Sequence, residues 1–231
     1  MKLSLTNKDF LNQANKYQRS DALFAIVLFV IMCILYVLVA VLEKNLTFVK
    51  DHSMIVGCGL NLVMIIITIG FVKFKKEQLS SIGLMHGKWQ QSCLVGMVLA
   101  AILFFNNCLS HVLGGAHFIP LYSIIGLAIY YLIVAFSEEI VFRGYINTRL
   151  YGLMKNQYLV MIISGILFVM VHFPYRMIAY GMSLSDLTIG WILDLFITHM
   201  ILSIIYLKTN SLYGAILPHW MSNLAYNLIV R

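Results

Sequence analysis

The sequence predicts an all-α, polytopic membrane protein of about seven transmembrane helices around an intramembrane polar site. Three observations carry this. Of 231 residues, 61% are hydrophobic and 11% charged, where soluble domains carry about 25% charged residues. Mean hydropathy is +0.89. The apolar residues gather into runs near the about 20 residues that cross a hydrocarbon core. Such runs consume nearly the whole chain, which leaves one membrane domain and no sizeable soluble one.

Residues 1–21 are polar and show no apolar core before a cleavage site, so no signal peptide is read. This segment is expected to be cytoplasmic. Its apolar residues Leu3, Phe10, Leu11, Ala14 and Tyr17 line one face of a helix lying on the membrane. Residues 22–118 hold the first three spans, Ala22–Leu42, Met54–Phe74 and Ser92–Leu113, with an interfacial stretch at 79–91 anchored by Trp89. Residues 119–231 hold four more: Ile119–Tyr151, Tyr158–Phe173, Leu187–Leu207 and Leu212–Val230. Pro120 suits a first helical turn, where the missing N–H costs nothing. The fourth run is too long to be all embedded, so its tail GYINTRLY is expected to project from the bilayer.

Formal net charge is +7. No basic cluster is interleaved with exposed aromatics, so nucleic acid is not a partner. Basic loops instead set topology and touch anionic lipid. With the N-terminus in the cytoplasm, Lys2, Lys8, Lys16, Arg19, Lys73, Lys75, Lys76, Lys88, Arg149, Lys155 and Lys208 lie inside. Lys44, Lys50, Arg176 and Arg231 lie outside. Eleven against four places the N-terminus in and the C-terminus out. Cys33, Cys58, Cys93 and Cys108 have no CxxC spacing and read as small apolar packing residues.

Ionisable residues inside apolar runs mark function. They are Glu138, Glu139 and Arg143 in the fourth run, His172 in the fifth, Asp194 and His199 in the sixth, and His219 in the seventh. The fourth and fifth runs are joined near 152–157. Folding that hairpin at Lys155 sets Glu138 level with His172 and Phe142 level with Phe168. Phe168 and His172 share a helix face, as do Glu138 and Phe142, and His219 and Asn223. Glu139 and Arg143 are spaced for an ion pair. Glu138 points about 100° away from Glu139, lacks such a partner, and is the candidate general base. Pro218 opens local space beside His219. Asp194 and His199, five apart, read as a polar contact between helices. His52, His86, His111 and His117 lie at loops or span ends and take no role.

At these residues the chain resembles the CPBP family, also called type II CAAX prenyl endopeptidases and the ABI group of intramembrane proteases. The motifs are Glu138-Glu139-x-x-x-Arg143, Phe168-x-x-x-His172 and His219-x-x-x-Asn223, within EEIVFRGYI, SGILFVMVHF and LKTNSLYGAILPHWMSN. The resemblance covers about Ile119 to Val230. It implies hydrolysis of a peptide bond in a membrane-associated or membrane-active peptide or protein. By the same resemblance, Glu138 and His172 activate water, while His219 and Asn223 stabilise the oxyanion. Glu139 and Arg143 hold the site, with Phe142 and Phe168 beneath it. Family naming often says metalloprotease, and Glu138, His172 and His219 are a familiar zinc set with one open position. H-E-x-x-H is absent, and a metal-free glutamate mechanism uses the same residues. The smaller bacterial members that it resembles are linked to bacteriocin self-immunity and peptide processing, which implies a bacterial cell membrane. Two other classes stay open: a non-proteolytic binding or immunity protein using the same pocket, and a small carrier. The carrier lacks the expected inverted repeat.

Overall fold

The computed structural model describes residues 7–84, 88–115 and 117–230. Lys2, Leu3, His86 and Arg231 lie outside the described residues. The chain is an all-α bundle, with one short antiparallel pairing of strands.

Helix α1 (Lys8–Ala14) starts at Asn7, whose side chain accepts the Asp9 N–H. Its apolar face is turned onto the bundle rather than outward. Phe10 is fully buried, edge-on to Tyr151 and Tyr206 at 5.5 and 5.7 Å. Gln13 Nε2 donates to the Ser81 carbonyl at 2.6 Å, and Lys155 Nζ donates to the carbonyls of Asn15 and Tyr17.

Helix α2 (Arg19–Asn45) opens on a capping box between Gln18 and Asp21. Its inner stripe, Ala22, Ala25, Leu28 and Met32, is buried at helical spacing, while Leu23, Ile26, Val30 and Ile34 face outward. That outward apolar face suits lipid. A short helix, α3 (Thr47–Asp51), leads to α4 (Ser53–Phe74). A 3₁₀ turn at Leu79–Ile82 precedes α5 (Trp89–Leu113).

Helix α6 (Leu121–Glu139) starts after Pro120, which caps it rather than occupying its first turn. It continues as a π-helical segment, Ile140–Asn147, into α7 (Thr148–Leu150). The extra residue per turn is a device found often at functional sites. The tail GYINTRLY does not project freely: every residue from Gly144 to Tyr151 is buried in protein. Arg149 explains this. Its guanidinium meets Glu77 Oε2 at 2.6 Å and lies between the rings of Tyr17 and Tyr145. That tail is therefore clamped to the α1 end of the bundle.

Helix α8 (Gln157–Ala179) passes through Pro174 instead of stopping at Phe173. Packing against neighbouring helices supports the proline, as is common in membrane bundles. Helix α9 (Ile189–Thr209) ends at Asn210, φ 52°, a left-handed position that asparagine tolerates. The chain then reverses into α10 (Tyr213–Asn227).

Among the described residues, six helices are long and apolar enough to cross a membrane. The seventh predicted run differs. It folds as α10, only 15 residues long, and then leaves the helix as strand β2 (Ile229–Val230). Its partner is β1 (His117–Phe118), with His117 opposite Val230. Helix α10 packs most extensively on α5. A Cβ on Gly96 would come within 2.8 Å of the Gly214 Cα, so two glycines let these backbones touch. Ser92 Oγ accepts the Gly214 N–H at 2.8 Å.

Candidate active site

The site lies where α6, α8, α9 and α10 meet. Glu138 and Glu139 are the last two residues of α6 before the helix widens. Glu139 and Arg143 are fully inaccessible, and Glu138 is 6% exposed. Isolated charges at such depth cost several kcal/mol or more, so their partners decide the matter.

Arg143 Nη1 donates to Glu139 Oε1 at 2.7 Å, the expected ion pair. The guanidinium carbon lies 4.8 Å from the Phe168 ring centroid, a cation–π contact. Phe168 meets Phe142 edge-on at 5.0 Å. These are the two rings that the hairpin register sets at one depth.

His219 arrives from α10, one residue after Pro218. Its Nδ1 lies 2.7 Å from Glu139 Oε1, so that oxygen is shared by the histidine and the arginine. A carboxylate can only accept, so Nδ1 carries the proton. The other nitrogen, Nε2, faces Glu138 Oε2 at 3.6 Å. His219 therefore stands between the two glutamates. Trp220 fixes this presentation by donating to the Ala128 carbonyl of α6 at 2.8 Å.

His172 stands within electrostatic reach of Glu138, but no hydrogen bond joins them. Its Nδ1 bonds to the carbonyl of Phe168 at 2.7 Å. That anchor fixes the tautomer: Nδ1 holds the proton and Nε2 keeps its lone pair. Asn223 shares the His219 face and is half-buried, and its side chain makes no hydrogen bond among the described residues.

Two residues escape the sequence reading. Tyr36 of α2 approaches Glu138 closely enough to interact with its carboxylate. It is the one tyrosine in that helix, a polar tip in an otherwise apolar run, and this was the available signal. His199 is the other. Expected as a polar contact between helices, it is fully buried beside Phe168 at 5.2 Å and Phe142 at 6.4 Å. Neither of its ring nitrogens has a hydrogen-bond partner among the described residues. Asp194 is exposed and takes no part.

Among the described residues, no three His, Cys, Asp or Glu side chains are spaced to hold a metal ion. Glu138 and His219 face each other, but His172 does not complete a triad with them. The donor set as placed does not fit a zinc centre.

The region that builds this site, residues 120–225, matches the family model described as type II CAAX prenyl endopeptidase Rce1-like. The likeness to this CAAX protease family rests on that region, a little under half of the chain. Searches of curated proteins and of solved structures each returned no match. Six apolar helices of spanning length among the described residues make the chain an integral membrane protein whose surroundings are lipid. The matched CAAX protease region begins at α6 and ends within α10, so it takes in Glu138, Glu139, Arg143, His172, His199, His219 and Asn223. Tyr36 lies outside it.

Proposed function

We propose that this chain is an intramembrane endopeptidase that hydrolyses a peptide bond of a membrane-associated or membrane-active peptide by glutamate-activated water. One observation carries the reading: a buried histidine held between two adjacent glutamates, beside a second histidine whose Nε2 is left free.

The steps follow from the atoms. Glu138 takes a proton from water, assisted by the His172 Nε2 lone pair, and the oxygen adds to the scissile carbonyl. The C=O electron pair moves onto oxygen. His219, oriented through Nδ1 by Glu139, donates from Nε2 to that oxyanion in its protonated form, with Asn223 as a second donor. The proton held by Glu138 passes to the leaving amine, the C–N bond breaks, and the carbonyl reforms. Arg143 holds Glu139 in place through their ion pair. No step passes through a metal. The substrate class is a short membrane-active or lipidated peptide, consistent with self-immunity or peptide processing in a bacterial cell membrane, with the N-terminus cytoplasmic.

The test is cleavage by purified protein in detergent or liposomes. Membrane-active and lipidated C-terminal peptides are offered, and products are read by mass spectrometry beside Glu138→Gln. The expected result is cleavage by the wild type alone. Biological function retained by Glu138→Gln would favour a non-proteolytic binding or immunity protein instead.

A further inference from the structure

We propose that Arg176 is a specificity residue that binds a carboxylate of the substrate peptide within about two residues of the bond being cut. The inference rests on the endopeptidase reading above and assigns part of its substrate recognition.

Arg176 follows His172 by four residues on α8, so both lie on one face, separated by about 6 Å of rise. Helical side chains lean toward the helix N-terminus, which carries this guanidinium back toward the imidazole. The two groups interact electrostatically. The guanidinium carbon sits 4.5 Å from the centroid of the Trp191 ring. That indole in turn lies 6.5 Å from the His172 ring and 5.9 Å from Phe173. Trp191 is thus a plate that joins the cation to the candidate site.

The cation has no anionic partner. Arg143 and Arg149 each hold a glutamate within 2.7 Å. Among the described residues, no carboxylate lies within hydrogen-bonding or ion-pair distance of Arg176. Glu43 is engaged by the Tyr175 hydroxyl, and Asp186 by Ser183. Both Arg176 and Trp191 are half-buried, so the charge is neither paired nor fully solvated.

A guanidinium stacked on an indole keeps its planar fork of N–H groups at the edge, where two parallel hydrogen bonds fit a carboxylate. An extended peptide advances about 3.3–3.6 Å per residue. The rise of about 6 Å between His172 and Arg176, shortened by that lean, therefore sets the carboxylate within about two residues of the cleaved bond. A terminal carboxylate and an acidic side chain both meet that requirement. An arginine serving lipid phosphate extends its head away from the core, whereas this one lies over a ring that packs near His172.

The experiment measures binding to the full chain carrying Glu138→Gln, in nanodiscs of neutral phosphatidylcholine. Three probes are used: a farnesylated octapeptide with a free C-terminus, its C-terminal amide, and that amide with glutamate two residues from the bond that the wild type cuts, as located by mass spectrometry. The free acid, the glutamate peptide or both should bind about tenfold or more tightly than the plain amide, as a charge-assisted pair implies. Arg176→Gln should abolish the difference, and Arg176→Lys should restore part of it. Cleavage by the wild type serves as the independent control. Equal binding of all three probes with cleavage intact would overturn the role of Arg176 alone. No binding and no cleavage by folded protein would overturn the endopeptidase reading with it. An Arg176→Gln defect that appears only in discs containing phosphatidylglycerol would assign the residue to lipid and overturn the proposal.

Discussion

Arg143 and Arg149 stand six residues apart on one continuous helix, both fully buried, each beside a glutamate and an aromatic ring. Their surroundings differ in how the donors are used. Arg149 donates to the carbonyls of Ser81 and Gly144, to Thr148 Oγ1, to Glu77 and to Ser81 Oγ. Of these, Glu77 and Ser81 lie about 70 residues away, so Arg149 ties its helix to the 3₁₀ turn and to the segment that follows α4. Arg143 uses one nitrogen on one glutamate oxygen, and its Nε and Nη2 have no partner among the described residues. The glutamate it serves is shared with His219. A buried arginine with both terminal nitrogens engaged, and only Nε without a partner among the described residues, is a fastener. One with spare donors, next to a shared carboxylate, belongs to a site that rearranges charge.

That contrast can be broken experimentally. The largest effect is expected at Glu138: Glu138→Gln should slow peptide cleavage by about 10²–10⁴-fold, the span of general base removal, with unfolding in detergent unchanged. Next comes Arg149→Ala, which empties a fully buried site and removes five hydrogen bonds, and should cost about 3–5 kcal/mol in an unfolding titration. Arg143→Ala should cost less, about 1–3 kcal/mol, because His219 still faces Glu139, yet it should remove most activity. If Arg143→Ala proves the more destabilising of the two, the distinction between fastener and site fails. Gly96→Ala should cost about 1–3 kcal/mol by forcing α5 off α10, and should lower turnover through the displaced His219. The smallest change is Phe142→Leu, about 1 kcal/mol for a lost edge-to-face pair, measured by thermal unfolding.

Much of this was legible in the residues. Equal helical rise put Phe142 against Phe168, and spacing alone paired Glu139 with Arg143. The partner of Glu138 was not legible. Register set it level with His172, but His172 turns Nδ1 to its own backbone, and His219 is the close neighbour instead. The second bond to Glu139 spans 80 residues. It depends on how α10 is rotated, which Trp220 and the Gly96–Gly214 contact decide, and no periodicity reports rotation. The fifth apolar run ends at Phe173, whereas the helix continues through Pro174 to Ala179 because packing supports it. The polar contact expected of Asp194 and His199 is not made: Asp194 is exposed, and His199 is buried with no hydrogen-bond partner among the described residues. The aromatic cage around His199 required the tertiary fold.

The shortness of α10 has a consequence for hydration. Fifteen residues span about 22 Å, against a hydrocarbon core of about 30 Å. His219 lies six residues from one end of that helix and eight from the other, which is about 9 and 12 Å along its axis. A helix that cannot reach both headgroup layers draws the interface inward around it. The distance that a water molecule must travel to reach the glutamates is shortened accordingly, so the same length deficit that makes α10 a poor membrane span makes it a suitable place for a reaction that consumes water.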